Sequence, residues 1–251
     1  MRVGPPAGRR RSDVTTSSAY QRGQEACRPR LHLVSPDASA SAVRPPSGIY
    51  VRWGKTIVDR ALALLLLVAT APVLALALVL VRLTLGPHVL LRQARVGKDG
   101  RVFAMYKVRT MLPDRRDRRD RRDRRGGARG SDRRLCHKRD DDPRHTPLGR
   151  VLRKYSIDEL PQLWNVLHGQ MSLIGPRPEL ESVVEQYGLW DHPRHLVCRG
   201  ITGPWQVSEL RSIPLHENMH LDIDYVRELS WRSDLAVVRA TAGALRSAGG
   251  H

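Results

Sequence analysis

The chain has 251 residues, room for one medium domain or two small ones. Its formal net charge of +18 implies a polyanionic neighbour: nucleic acid, anionic lipid or a phosphate-rich substrate. Cys27, Cys136 and Cys198 stand far apart with no CxxC among them, so no disulfide framework or zinc pattern is readable, and a reducing compartment fits.

Residues 1–48 are rich in Arg, Ser, Pro and Ala, have no apolar period, and read as a disordered basic tail. Arg9, Arg10 and Arg11 are followed by no apolar stretch for roughly fifty residues, which rules out a twin-arginine export signal. Ala61 to Val81 is an uncharged run of Ala, Leu and Val without a polar stripe, of the ~20-residue length that crosses a bilayer as a helix. Pro72 near its middle removes a backbone hydrogen bond and bends the helix. Basic residues flank both ends: Arg52, Lys55 and Arg60 before, Arg82, Arg92, Arg95 and Lys98 after. The positive-inside rule cannot satisfy both flanks of a crossing segment, whereas a helix that enters, bends and returns satisfies both. Composition by itself leaves this re-entrant form and an ordinary span with a tolerated proline equally open.

Val89 to Met111 reads as short strands, with a turn at Gly97-Lys98-Asp99-Gly100. Phe103, Met105, Lys107 and Arg109 share one strand face, and Ala104, Tyr106 and Val108 the other. On spacing alone the two cations are a solvated edge. Residues 114–125 repeat Asp-Arg-Arg four times, too short and polar for a solenoid and without aromatic residues to stack bases, so a solvated helix or loop near anionic headgroups is expected and no specific nucleic-acid site. From about residue 145 the chain has the look of a globular domain of short helices and loops, punctuated by Gly169, Gly175-Pro176, Gly200 and Gly203-Pro204.

The densest chemistry lies at 152–179. Leu160, Leu163, Trp164 and Leu167 have helical spacing and predict a buried helix face. Pro161 suits the first turn, Gly169 the end, and Ser156 with Glu159 has capping-box spacing. Asp158 and Glu159 thus sit at a helix start, where capping is the ordinary role of acidic residues. Two prolines bracket Arg177 and fix its backbone, which suits an arginine aimed at phosphate. A glycine-rich turn follows at Gly200–Val207, and Asp222-Ile223-Asp224-Tyr225 opens a final helical region.

These segments resemble the bacterial sugar transferase family, the monotopic polyprenyl-phosphate phosphoglycosyl transferases, in their short form. The resemblance rests on Tyr-Lys-Val-Arg-Thr-Met at 106–111, Asp-Pro-Arg at 142–144, Leu-Gly-Arg-Val-Leu-Arg at 148–153 and Ser-Ile-Asp-Glu-Leu-Pro-Gln-Leu-Trp-Asn-Val-Leu at 156–167. Met-Ser-Leu-Ile-Gly-Pro-Arg-Pro-Glu at 171–179, Ile-Thr-Gly at 201–203 with Gln206, and the Asp222 to Asp234 tail extend it in family order.

The resemblance implies an α/β fold, α-rich with a small irregular sheet, and an N-terminal re-entrant membrane helix broken at Pro72. The divisions expected are a tail at 1–48, the membrane helix region at 49–86 and a cytoplasmic catalytic domain at 87–245 with an Arg-rich insert at 114–134. It implies a covalent intermediate on Asp158, formed by attack on the β-phosphorus of a UDP-sugar and resolved by polyprenyl (undecaprenyl) phosphate. Glu159, alone or with Asp158, is implied to hold Mg²⁺ against the diphosphate, as Mg²⁺ binds one or two carboxylates plus substrate phosphates. Lys107, Arg109, Arg153, Arg177, Gln206 and Asp222 are implied phosphate and substrate contacts, and for Asp222 the family position near the active site also implies a structural or lid-fixing role. The implied location is the bacterial inner membrane, with the catalytic domain on the cytoplasmic face. The chain departs from the family pattern at Glu209-Leu210, where a Gly-Arg pair is usual, and at Ala71-Pro72, where Ser-Pro is usual and Thr70 supplies the nearest hydroxyl.

Other readings are weaker. A catalytically idle basic anchor for lipid or nucleic acid explains the charge and the apolar run but not Arg177 or the Asp158-Glu159 turn. A glycosidase pair needs facing carboxylates, not adjacent ones. His137 with His145, or His216 with His220, lack an HExxH pattern and read as surface histidines.

Overall fold

The computed structural model describes residues 43–112, 144–209 and 219–249. All of them belong to one compact unit. The tail up to residue 42, the Asp-Arg-Arg run and Leu210 of the variant loop lie outside the described residues.

A π-helical turn, Tyr50–Gly54, feeds helix α1, Lys55–Leu85. The 31 residues of α1 make it about 46 Å long, long and apolar enough to cross a membrane. Pro72 lies inside an uninterrupted helix, so the expected break at that residue is absent as a break in the helix itself. Helices tolerate proline when the surroundings re-satisfy or hide the freed carbonyl. The Thr70 hydroxyl does not do so, because it donates to the Leu66 carbonyl at 2.7 Å.

Only a few residues of α1 face the body. Lys55, Asp59 and Ala63 are buried near one end, and Ala77 and Val81 near the other. Leu64, Leu65, Leu66, Val68, Val73 and Leu76 between them are exposed. Ala63 packs with Met105, Leu163, Val166 and Met171. Ala77 and Val81 pack with Val108 and Leu152. Both ends of the helix therefore dock on the same body while its middle shows apolar surface.

Strands β1, Leu90–Val96, and β2, Val102–Val108, form an antiparallel hairpin in register from Leu90 opposite Val108 to Val96 opposite Val102. The expected turn closes it, with Asp99 and Gly100 at φ 53° and 69°. The alternation along β2 holds. Met105 and Val108 are both buried, on opposite faces, while Arg109 falls just past the strand.

Helix α2, Pro147–Lys154, starts with Pro147 at its first position and the Thr146 hydroxyl accepting from Gly149 N at 3.0 Å. A 3₁₀ turn, Ile157–Glu159, precedes helix α3, Gln162–Leu167. The expected capping box does not form. Ser156 takes a left-handed conformation, φ 55°, and its side chain caps nothing, because Glu159 N donates to the Ser156 carbonyl at 3.1 Å instead. The expected buried face is also rotated. Leu163, Asn165 and Val166 are buried and Trp164 is half exposed. Asn165 decides this: its Nδ2 donates to the Ala104 carbonyl at 2.8 Å and its Oδ1 accepts from Tyr106 N at 3.2 Å. Strand β2 is a sheet edge, and Asn165 satisfies it. Gly169, φ 71°, ends the helix as expected.

Strand β3, Ser172–Ile174, runs parallel to β5, Gly200–Thr202. Strand β4, Glu179–Leu180, joins the hairpin beside β1 to give the order β2-β1-β4. Helix α4, Glu181–Gln186, and a 3₁₀ turn, Pro193–Leu196, link the two sheets. Helix α5, Pro204–Val207, follows β5, and α6, His220–Arg227, and α7, Trp231–Gly249, complete the described chain. The result is the α-rich α/β domain with a small split sheet that the sequence led us to expect.

Candidate active site

The hairpin, the 3₁₀ turn and the Gly175–Pro178 segment converge on one cleft. Lys107, Glu159 and Arg177 line it, with Arg95 and Gln162 beside them and Gly200 and Ile201 forming the floor. Lys107 comes from β2, Glu159 from the 3₁₀ turn and Arg177 from the loop between β3 and β4. Three residues spread over seventy positions of sequence thus face one space. Lys107 Nζ and Glu159 Oε1 are 2.6 Å apart. Burial pulls the Lys107 ammonium below its ordinary pKa, with Arg177 pushing the same way and Glu159 opposing.

Asp158 is the neighbour of Glu159 in the turn and is 8 % exposed. Burial pushes its carboxyl above the ordinary value, Glu159 adds to this, and Lys107 and Arg153 oppose it. A desolvated carboxylate flanked by cations suits a nucleophile directed at phosphorus. Arg153 is itself held: Nε donates to Thr110 Oγ1 at 2.9 Å, and Nη1 lies 2.8 Å from His145 Nε2. The guanidinium of Arg177 sits over the Trp205 ring, 5.9 Å from its centroid.

Other expected contacts lie elsewhere. Arg109 Nε donates to the Met111 carbonyl at 3.1 Å at the end of the hairpin, and Arg109 is not on the cleft lining. Gln206 Nε2 donates to the Ile201 carbonyl at 2.9 Å, so it braces the glycine-rich turn behind the cleft floor. Asp222 is corrected outright as a substrate contact. It is 0 % exposed, and its Oδ2 pairs with Arg194 Nη2 at 2.7 Å inside the body. Sequence reasoning missed Arg95, Thr110, His145, Gln162 and Arg194. Arg95 was visible only as a flanking cation, and nothing in the spacing of the others marks them.

Glu159, with Asp158 beside it, is the pair that could hold a Mg²⁺ completed by substrate phosphate, and Glu159 Oε1 is here paired with Lys107 Nζ at 2.6 Å. Glu159 lines the cleft, and Asp158 is close enough to shift with it. Among the described residues no three His, Cys, Asp or Glu side chains gather into a self-sufficient metal cage.

A glycine weld positions the cleft floor. A Cβ on Gly200 would come within 2.1 Å of Gly175 N, and one on Gly203 within 2.0 Å of the Gly175 carbonyl. Only glycine lets β5 approach the Arg177 loop this closely.

The family model for bacterial sugar transferases matches residues 50–247, a range that holds every residue of the cleft. The chain belongs to the bacterial sugar transferase family. It is 35% identical over 207 residues to the exopolysaccharide production protein ExoY of Sinorhizobium fredii, covering 81% of this chain and 88% of that one. The galactosyl transferase CpsE of Streptococcus agalactiae is 39% identical over 157 residues, covering 62% of this chain and 34% of CpsE. The UDP-glucose:undecaprenyl-phosphate glucose-1-phosphate transferase of Escherichia coli is 34% identical over 205 residues, covering 78% of this chain and 41% of that protein. The sugar transferase described here therefore spans most of ExoY and less than half the length of the other two. It is an enzyme of the transferase class, and the cleft lined by Lys107, Glu159 and Arg177, with Asp158 next to Glu159 in the turn but not on the lining, is its candidate active site.

Proposed function

We propose that this sugar transferase moves a sugar-1-phosphate from a UDP-sugar to polyprenyl phosphate through a covalent intermediate on Asp158. The observation that carries the reading is the cleft in which Lys107, Glu159 and Arg177 meet beside the buried Asp158 carboxylate. One Asp158 oxygen attacks the β-phosphorus, a new O–P bond forms, and the bond to UMP breaks with UMP taking the electron pair. An oxygen of polyprenyl phosphate then attacks the same phosphorus, and the Asp158 carboxylate leaves. Lys107, Arg153 and Arg177 hold the phosphate oxygens and offset their charge. Mg²⁺, held at Glu159 with Asp158 beside it, would neutralise the diphosphate when bound. The names of relatives support the class of donor and acceptor, since the E. coli relative is named for UDP-glucose and undecaprenyl phosphate.

The same reading places the domain on the cytoplasmic face of the bacterial plasma membrane, with both ends of α1 on that face and its exposed middle in lipid. The exposed leucines and valines of α1 need a hydrocarbon solvent. Both its ends dock on one body, which supports a re-entrant helix over one that leaves its N-terminus across the bilayer.

The test uses detergent-purified protein with Mg²⁺ and a panel of radiolabelled UDP-sugars, without lipid acceptor. The expected result is UMP release with stoichiometric label on Asp158, lost in Asp158→Asn and retained in Asp224→Asn, whose side chain is mostly exposed. A folded protein that releases no UMP from any donor would sink the reading and favour an idle anchor.

A further inference from the structure

Arg177 lies between two prolines, so its loop has few amides of its own with which to fix itself. It is fixed from outside. Three consecutive carbonyls of the loop each accept a hydrogen bond from a different element. Gly200 N of β5 donates to the Pro176 carbonyl at 3.0 Å. Arg194 Nη2 of the 3₁₀ turn donates to the Arg177 carbonyl at 2.7 Å. Arg95 Nη1 of β1 donates to the Pro178 carbonyl at 2.9 Å.

Arg194 is 1 % exposed and is itself aimed by Asp222 of α6, 0 % exposed. The same nitrogen, Nη2, lies 2.7 Å from Asp222 Oδ2 and 2.7 Å from the Arg177 carbonyl. The Arg177 carbonyl receives a hydrogen bond from it, whereas the Asp222 contact is a close ion pair: among the described residues neither Asp222 oxygen, nor Arg194 Nε or Nη1, has a hydrogen-bond partner. A chain of contacts therefore runs from Asp222 through Arg194 to the backbone of the cleft arginine.

We propose that Asp222, Arg194 and Arg95 are positioning residues that pre-aim the Arg177 guanidinium at the donor diphosphate. The proposal rests on the phosphate-binding role given to Arg177 above. Holding a charged donor in place before substrate arrives removes its reorganisation from the binding and chemical steps. A buried ion pair is weak evidence for stability in its own right, since an apolar pair of similar volume often replaces it without loss. That makes the role separable from folding.

The experiment measures binding of UDP with Mg²⁺ to the full chain, with uridine as the phosphate-free control. Arg177→Ala should weaken UDP about tenfold and leave uridine unchanged. The double variant Arg194→Met/Asp222→Leu keeps the net charge of the buried cluster, adds roughly two methylenes of volume, and loses the donor to the Arg177 carbonyl. It should melt within a few degrees of wild type and weaken UDP about fivefold. Added to Arg177→Ala, it should cost less than about twofold more, because its effect travels through Arg177. Arg95→Gln should behave likewise, its effect also vanishing without the Arg177 side chain. Should the double variant not fold, Arg95→Gln carries the test by itself, its loss of UDP affinity again expected to vanish without the Arg177 side chain.

Wild-type UDP affinity in the folded variants, or equal losses with and without Arg177, would overturn the proposal and leave a merely structural ion pair. Full UDP affinity in Arg177→Ala would remove the phosphate role itself, and the proposal would fall with it; the two failures read out in different variants.

Discussion

Asp158 carries a cost that a purely structural residue would not. Its folded pKa lies above the ordinary 3.8 because burial disfavours the charged form. The sign follows from linkage: the favourable contribution is complete below the ordinary value and is lost as pH rises through the folded value. Asp158→Asn removes that charge. It should abolish label transfer yet melt about 2–5 °C higher than wild type at pH 7, with the gap closing as pH falls towards the ordinary carboxylate value. Calorimetry across pH checks this, and an Asn variant that melts lower at pH 7 would contradict it. Lys107 supplies the opposing charge, 2.6 Å from Glu159. Lys107→Met should lower the rate of UMP release about a hundredfold or more, measured in a single turnover. Lys107, Asp158, Glu159 and Arg177 were all legible from the sequence, by resemblance more than by pattern. Their spacing alone supported only a solvated edge and a helix cap.

At the scale of elements, Asn165, Gly175, Gly200 and Gly203 decide how the strands seat the cleft. Asn165 covers the free edge of β2 with two backbone hydrogen bonds. Asn165→Leu should destabilise the fold by about 1–3 kcal/mol, read by chemical denaturation, because it leaves buried backbone groups unpaired. Gly200→Ala forces a methyl within 2.1 Å of Gly175 N. It should cost about 3 kcal/mol or more, or prevent accumulation of folded protein, since backbone on both sides cannot yield as a flexible side chain would. Apolar periodicity located α3 but rotated its face, because Trp164 satisfies the period and Asn165 breaks it. Burial went to Asn165, the residue with partners on the sheet edge.

The whole molecule is organised around the clamp between α1 and the body. Lys55 Nζ lies 2.6 Å from Asp234 Oδ2 of α7, and the Tyr50 and Tyr225 hydroxyls donate to the same carboxylate at 2.6 Å. Ser172 of β3 donates to Asp59 at 2.6 Å. At the other end Val81 packs on Val108 and Leu152. Single cysteines in place of Ser47 and His88, with Cys27, Cys136 and Cys198 replaced by serine, test the topology in bacterial cells. Both should resist an impermeant maleimide until the inner membrane is opened. Labelling of Ser47→Cys alone in intact spheroplasts would mean that α1 crosses. Lys55→Met should cost about 3–5 kcal/mol by leaving buried Asp234 without its cation, measured as loss of folded protein on heating.

By itself the sequence determined the apolar length of α1, the β1–β2 hairpin and its turn, the glycine stops, and the order of motifs that mark the family. These are local: each depends on residues within a few positions, where propensity and period act directly. Only the tertiary structure decided that α1 runs through Pro72 unbroken and docks at both ends, that Arg109 and Gln206 bond backbone carbonyls and do not line the cleft, and that Asp222 is buried in the core. Arg194 and Arg95 became visible at the same level. Each of those outcomes turns on which donor meets which acceptor across distant segments. No spacing along the chain encodes that pairing, because it is set by packing and by the need to satisfy every buried polar group.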